Sequence, residues 1–123
     1  MWEIDTTWIE EWLDNLDEPT YDLVLVVLHM LGEQGPGLGR PLVDTVSGSR
    51  FPNMKELRPP AKGRATVRIL FAFDPARQAI LLVAGDKTFN WKKWYKKNIP
   101  IADERFAEHL RKVQGRQGKE REK

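Results

Sequence analysis

No cysteine occurs anywhere in the 123 residues. That excludes a disulfide framework, a thiolate zinc site and a cysteine nucleophile. Histidine is scarce too: His29 and His109 are the two in the chain, so any metal centre would have to be mostly carboxylate. Long apolar runs are also missing. The longest are residues 23–28 and 79–84, far short of the ~20 residues a helix needs to cross a bilayer. The opening "MWEIDTT" is acidic where a secretory signal would be basic. No membrane contact is expected, and the chain reads as cytoplasmic.

Positive charge is absent from residues 1–35, which hold nine Asp and Glu and no Lys or Arg. The whole chain has 20 basic and 18 acidic residues, so the remainder carries 20 minus 9, or +11. Such a split suggests a basic surface for an anionic partner, most often nucleic acid, and an acidic surface facing something else. The plainer alternative is that the two halves pair with each other on folding. With 41% hydrophobic and 31% charged residues, the composition is that of a globular protein of one-domain length. A single domain is expected over residues 1–113. The tail "QGRQGKEREK" (114–123) has nothing to bury and is expected to be disordered and basic.

The pattern of apolar residues predicts an α+β domain with two N-terminal helices on a small, mainly antiparallel sheet and a C-terminal helical segment. "MWEI" alternates like a short strand. Thr7 and Glu10 have capping-box spacing, and Ile9, Trp12, Leu13 and Leu16 share a face, which predicts a first helix of about three turns. A second begins near Pro19, with Val24, Val27, Leu28 and Leu31 inward and Leu23, Leu25, Val26 and Met30 widening the stripe. It should stop at Gly32 and Gly35. Residues 35–53, rich in Gly, Pro and Ser, read as one long loop. "MKELR", "ATVRILFAF" and "AILLVAG" read as strands, the last two joined by the turn "DPARQ". Asn90 should cap a helix to about Asn98 that breaks at Pro100, and Asp103 should cap a final one.

Period-two geometry puts Glu56, Arg58 and Arg68 on one surface, opposite the core side of Leu57, Val67, Ile69, Phe71 and Phe73. Lys87 follows the third strand, at the rim of that surface. Residues 86–98, "DKTFNWKKWYKKN", then add Lys92, Lys93, Trp94, Tyr95, Lys96 and Lys97. Arginine gives bidentate phosphate contacts, lysine a point charge, and tryptophan or tyrosine a platform for a base. Together they suggest single-stranded RNA. Competing roles remain open at several positions. Trp91 or Trp94 could anchor the helix in the core, Arg68 could pair with Glu56 across the strands, and His29 lies in the most apolar helix as a core or interface residue.

The segments "NMKELR", "RILFAFD", "AILLVAGDKT" and "WYKKNIPIADERFAEHL" together resemble the HigB-like branch of the RelE/ParE superfamily of type II toxin–antitoxin toxins. The resemblance implies a compact RelE-like fold. It also implies metal-independent, ribosome-dependent endonucleolytic cleavage of mRNA in a bacterium, without a cofactor. The partners it implies are the ribosome, mRNA and a cognate antitoxin with a helix-turn-helix domain. Arg68 matches the arginine of the family's middle strand and Lys87 the basic residue closing the last strand. Lys55 and Arg58 match the first strand's basic cluster, and Tyr95 an aromatic hydroxyl on the C-terminal helix. Glu56 stands where the best-known RelE members carry lysine. In that reading Arg58, Arg68 and Lys87 stabilise phosphoryl charge, Glu56 takes the ribose 2′-proton and Tyr95 assists. Lys55, Lys92, Lys93, Trp94, Lys96 and Lys97 bind RNA. ParE-like members share the fold and inhibit DNA gyrase, and a basic surface of this kind also suits a module that binds RNA or protein without turnover.

Overall fold

The computed structural model describes residues 1–60, 66–86 and 90–121, with side chains to 115. Five strands form one sheet in the order β1-β5-β4-β3-β2. They are β1 (Glu3–Asp5), β2 (Val43–Thr45), β3 (Lys55–Leu57), β4 (Val67–Phe73) and β5 (Gln78–Asp86). β1 runs parallel to β5, and every other pairing is antiparallel. This is the α+β, mainly antiparallel arrangement of a RelE-like fold that the sequence predicts.

Both faces of the sheet carry a core. On one, Leu57, Val67, Ile69, Phe71 and Leu81 meet Val24, Val27, Leu28 and Leu31 of α2 (Glu18–Gln34). On the other, Met54, Leu70, Ala72, Ile80 and Leu82 meet Ile99, Ala102 and Phe106 of α3 (Trp91–Arg121). The surface expected to be the polar side of β4 is therefore covered by a helix. Leu70 and Ala72 alternate with the α2-facing residues because a strand buried on both faces is apolar at both parities. Leu82 is passed over where Leu70 pairs with Val83 and Phe71 with Leu81. Arg105 Nη1 donates to the Leu82 carbonyl at 2.6 Å, so α3 satisfies a group displaced by the bulge.

Several expectations need correcting. The first helix is a 3₁₀ turn, Thr7–Ile9, followed by the short α1 (Glu10–Asp14). No capping box forms, because the Thr7 amide donates to Asp5 Oδ1 instead. The second helix starts as predicted, with the Asp17 side chain capping Thr20 and Pro19 in the first turn, and it ends at Gly35, whose φ of 55° suits glycine. Its apolar stripe is narrower than predicted, since Leu25 and Val26 are 42% and 60% exposed. The loop over residues 35–53 contains β2. Its three residues pair antiparallel with β3, a long-range partner that local composition does not reveal.

The largest correction concerns α3, which runs unbroken through Pro100. A proline inside a helix forfeits one backbone hydrogen bond and costs roughly 3 kcal/mol. Here Ile99 before it and Ala102, Phe106 and Val113 after it lie buried along one seam, and that burial outweighs the penalty. Asp103, predicted as a cap, is buried and accepts hydrogen bonds from Ser49 Oγ and the Arg50 amide. Asn90 does cap the helix, through Lys93 N–H at 3.1 Å. His109 Nε2 lies 2.7 Å from Asp74 Oδ2, tying α3 to the β4–β5 turn that Asp74 Oδ1 organises. Among the described residues no helix is long and apolar enough to cross a membrane.

Candidate functional site

Strand alternation turns Glu56 and Arg58 toward α3, while Leu57 points to α2. Because β3 pairs with β4 and Glu56 stands opposite Leu70, Arg68 shares the α3-facing surface. Tyr95, on the first turns of α3, closes over this group. Its hydroxyl donates to Glu56 Oε2. Arg58 Nε donates to Glu56 Oε1 at 2.6 Å, and Arg58 Nη2 bridges to the same oxygen. Both carboxylate oxygens are thus engaged, and the residue is 3% exposed. The guanidinium groups of Arg58 and Arg68 both lie near enough to act electrostatically on the Tyr95 hydroxyl. Three polar side chains, Glu56 of β3, Arg58 just after it and Arg68 of β4, thus gather around one hydroxyl of α3.

Arg68 is held differently from Arg58. Its guanidinium carbon lies 4.9 Å from the centre of the Trp91 ring, stacked as a cation on the indole face. Trp91 in turn packs edge-on against Trp94, centroids 5.3 Å apart. Arg68 Nε is buried and donates to no acceptor among the described residues. Glu56 pairs with Arg58 and not, as the plainer reading had it, with Arg68. The charge of Arg58 is neutralised within the cluster, whereas Arg68 forms no ion pair among the described residues.

These environments shift two titrations. Burial raises the Tyr95 hydroxyl above the ordinary tyrosine value and the Glu56 carboxylate adds to the rise, against a lowering by Arg68. Tyr95 therefore remains a neutral O–H donor at physiological pH. Burial would lower Arg58, but its hydrogen bond to Glu56 and that carboxylate's charge outweigh the loss and hold it above its ordinary value.

The cluster opens onto a cleft of about 300 Å³ lined by Thr45, Val46, Ser47, Glu56, Arg58, Lys92, Tyr95 and Ile99. Thr45 and Ser47 belong to β2 and the residues after it. Sequence reasoning missed them, since a threonine and a serine in a Gly/Pro-rich loop carry no distinctive spacing. On the outer side of α3, Lys93, Trp94, Lys96 and Lys97 line a broader trough with Asn90 and Asn98. Lys92 is thus the one of the four helix lysines that lines the cleft. Trp94 serves both sides, for its indole also lies against Gly85, where a Cβ would collide with the ring. That contact accounts for glycine in an otherwise apolar strand. Lys55 is not brought to the cluster, because it shares the parity of Leu57 on the α2 side of β3. Lys87 lies outside the described residues. His29 is not a core residue; its side chain is 71% exposed and pairs with Glu33 at 3.1 Å. Among the described residues no group of three or more His, Asp or Glu could hold a metal ion.

Comparison with known proteins adds an independent line. Residues 11–107 match the family model described as phage derived protein Gp49-like (DUF891). The chain is 55% identical over 122 residues to "Putative toxin HigB2" of Mycobacterium tuberculosis, covering 99% of this chain and 61% of that protein. It is 51% identical over 107 residues to "Putative toxin HigB3" of the same organism, covering 87% of this chain and 91% of that one. The chain therefore spans about three fifths of the first relative and nine tenths of the second.

Proposed function

The chain belongs to the phage-derived Gp49-like family, in the HigB-like branch of the RelE/ParE toxins, and from that premise we propose that it is the toxin of a type II toxin–antitoxin module, stopping translation by endonucleolytic cleavage of mRNA on the ribosome. The observation that carries this reading is the convergence of Glu56, Arg58 and Arg68 on the Tyr95 hydroxyl at the floor of a cleft. A gyrase inhibitor or a passive binding module has no need of such a cluster.

The chemistry this cluster suits is attack of a ribose 2′-oxygen on the adjacent phosphorus. The new O–P bond closes a 2′,3′-cyclic phosphate, the P–O5′ bond breaks, and the 5′-oxygen leaves as a hydroxyl with a proton from solvent. The 2′-proton passes to the Tyr95 oxygen while the phenol proton moves to Glu56 Oε2, so that Glu56 is the base and Tyr95 the relay. Arg68, paired with no carboxylate among the described residues and held by Trp91, meets the charge that builds on the phosphoryl oxygens. Arg58 joins it as Glu56 gains a proton and releases part of its hold. Fixed cationic donors of this kind are usually the largest catalytic contribution. No step calls on a metal. Lys92, Lys93, Lys96 and Lys97 hold the RNA or ribosome backbone, and Lys87 is assigned to the same electrostatic field.

The test is induced expression in a bacterial host, followed by primer extension on cellular mRNA and an assay for gyrase-linked DNA breaks. Growth arrest with new mRNA 5′-ends is expected. DNA breaks with intact mRNA would move the chain to the gyrase inhibitors, and normal growth at high soluble expression would remove it from the toxins.

A further inference from the structure

The geometry points to the outward face of α2 as the surface that binds the cognate antitoxin, through an amphipathic segment with apolar side chains flanked by Lys or Arg. This inference rests on the toxin–antitoxin reading, and it concerns a surface that the proposed chemistry does not use. At 100° per residue, Glu18, Asp22, Leu25, Val26, His29 and Glu33 fall in one arc of the helix. All six are exposed, and the arc opposite them is the one buried against the sheet. Leu25 and Val26 are the only large hydrophobic side chains in the described part of a regular element that exceed the exposure of a half-buried residue. They lie midway along the helix, 100° apart, one at each edge of the arc with the acidic side chains between them.

Charge gives the occupant's chemistry. The carboxylates of Glu18 and Asp22 precede the apolar pair and that of Glu33 follows it, in a stretch of 35 residues with no Lys or Arg. Among the described residues, the basic half is not brought over to neutralise them. Each ion pair between described residues stays within one half: His29 with Glu33 in the first, and Arg40–Asp44, Arg50–Glu104, Arg58–Glu56, His109–Asp74 and Lys112–Glu108 in the second. The sheet stands between the acidic helix and the basic one, since α2 and α3 cover opposite faces. The arc is thus left for a cationic partner, with Leu25 and Val26 as its apolar anchor, and the cleft faces the other way. A surface of this kind selects against nucleic acid, whose phosphates the carboxylates repel.

The experiment measures complex formation between the full chain and the antitoxin encoded beside it, by calorimetry at several salt concentrations. Four proteins are compared: wild type, the double variant Leu25→Asp with Val26→Lys, the single variant Asp22→Lys, and a control with Lys92, Lys93, Lys96 and Lys97 all changed to Gln. The α2 positions are exposed, so both variants should melt as the wild type does. The Leu25/Val26 variant should bind at least about tenfold more weakly, a typical consequence of removing an interface anchor. Asp22→Lys should weaken binding and flatten its salt dependence, and the lysine control should bind as wild type. Undiminished binding by both α2 variants would overturn the docking surface, and loss in the lysine control alone would place the antitoxin over the cleft. Failure of the wild type to bind would overturn the toxin–antitoxin reading together with this inference.

Discussion

Arg68 shows how a residue's neighbours decide what its charge can do. Arg58, two strand positions beyond Leu57's neighbour Glu56, spends its charge on that carboxylate, while Arg68 is stacked on Trp91 at 4.9 Å with its Nε lacking an acceptor among the described residues. Arg68→Ala should therefore lower the rate of mRNA cleavage by ~10²-fold or more, the usual loss when one transition-state donor is removed. Single-turnover kinetics at matched thermal stability would check it, and an unchanged rate would take Arg68 out of the site. Tyr95 supplies a prediction about stability. Its folded-state value is raised by burial and by Glu56, so the protonated phenol is the form the fold favours. Its contribution is complete below the ordinary tyrosine pKa of about 10 and is lost as pH rises through the higher folded value. Thermal melts from pH 8 upward should show a steeper alkaline decline for the wild type than for Tyr95→Phe. Parallel declines would mean the hydroxyl is not buried beside the carboxylate.

Among the elements, those with local signals were legible and those held by distant partners were not. The helix from Glu18 announces itself through Pro19 and a 3.6-residue apolar period, and β4 and β5 through their apolar runs and the turn between them. β2 could not be read, because three residues between glycines and prolines become a strand only by pairing with β3. Pro100 misled for the opposite reason: its local signal is strong, but the buried seam from Ile99 to Phe106 overrides it. Pro100 is exposed, so Pro100→Ala should restore a backbone hydrogen bond without disturbing the core. It should stabilise the protein by about 1–3 kcal/mol, up to the propensity gap between the two residues in a helix interior, measurable by urea denaturation. A loss of stability would argue that the helix is interrupted there. In the candidate site, strand parity alone grouped Glu56, Arg58 and Arg68, and it also excludes Lys55. Thr45 and Ser47 stayed hidden with the strand that carries them.

At the scale of the whole molecule, the sheet separates two charge fields that the sequence merely places in order. Acidic α2 covers one face and lysine-rich α3 the other, so an anionic substrate and a cationic partner can address opposite sides of a small protein. The cleft then lies at the edge of the basic face, where steering and chemistry coincide. The claim at the centre of this account is that the cluster around Tyr95 directs a ribose 2′-oxygen onto the neighbouring phosphate. The most direct measurement is analysis of the RNA ends left by the purified protein on translating ribosomes, using one mRNA with a normal scissile nucleotide and one with that single 2′-hydroxyl replaced by hydrogen. The account predicts a 2′,3′-cyclic phosphate and a 5′-hydroxyl from the first, persisting in the presence of a chelator at a concentration the ribosomes tolerate, and no cleavage of the second. Cleavage of the 2′-deoxy substrate, or products ending in a 3′-hydroxyl and a 5′-phosphate, would contradict it.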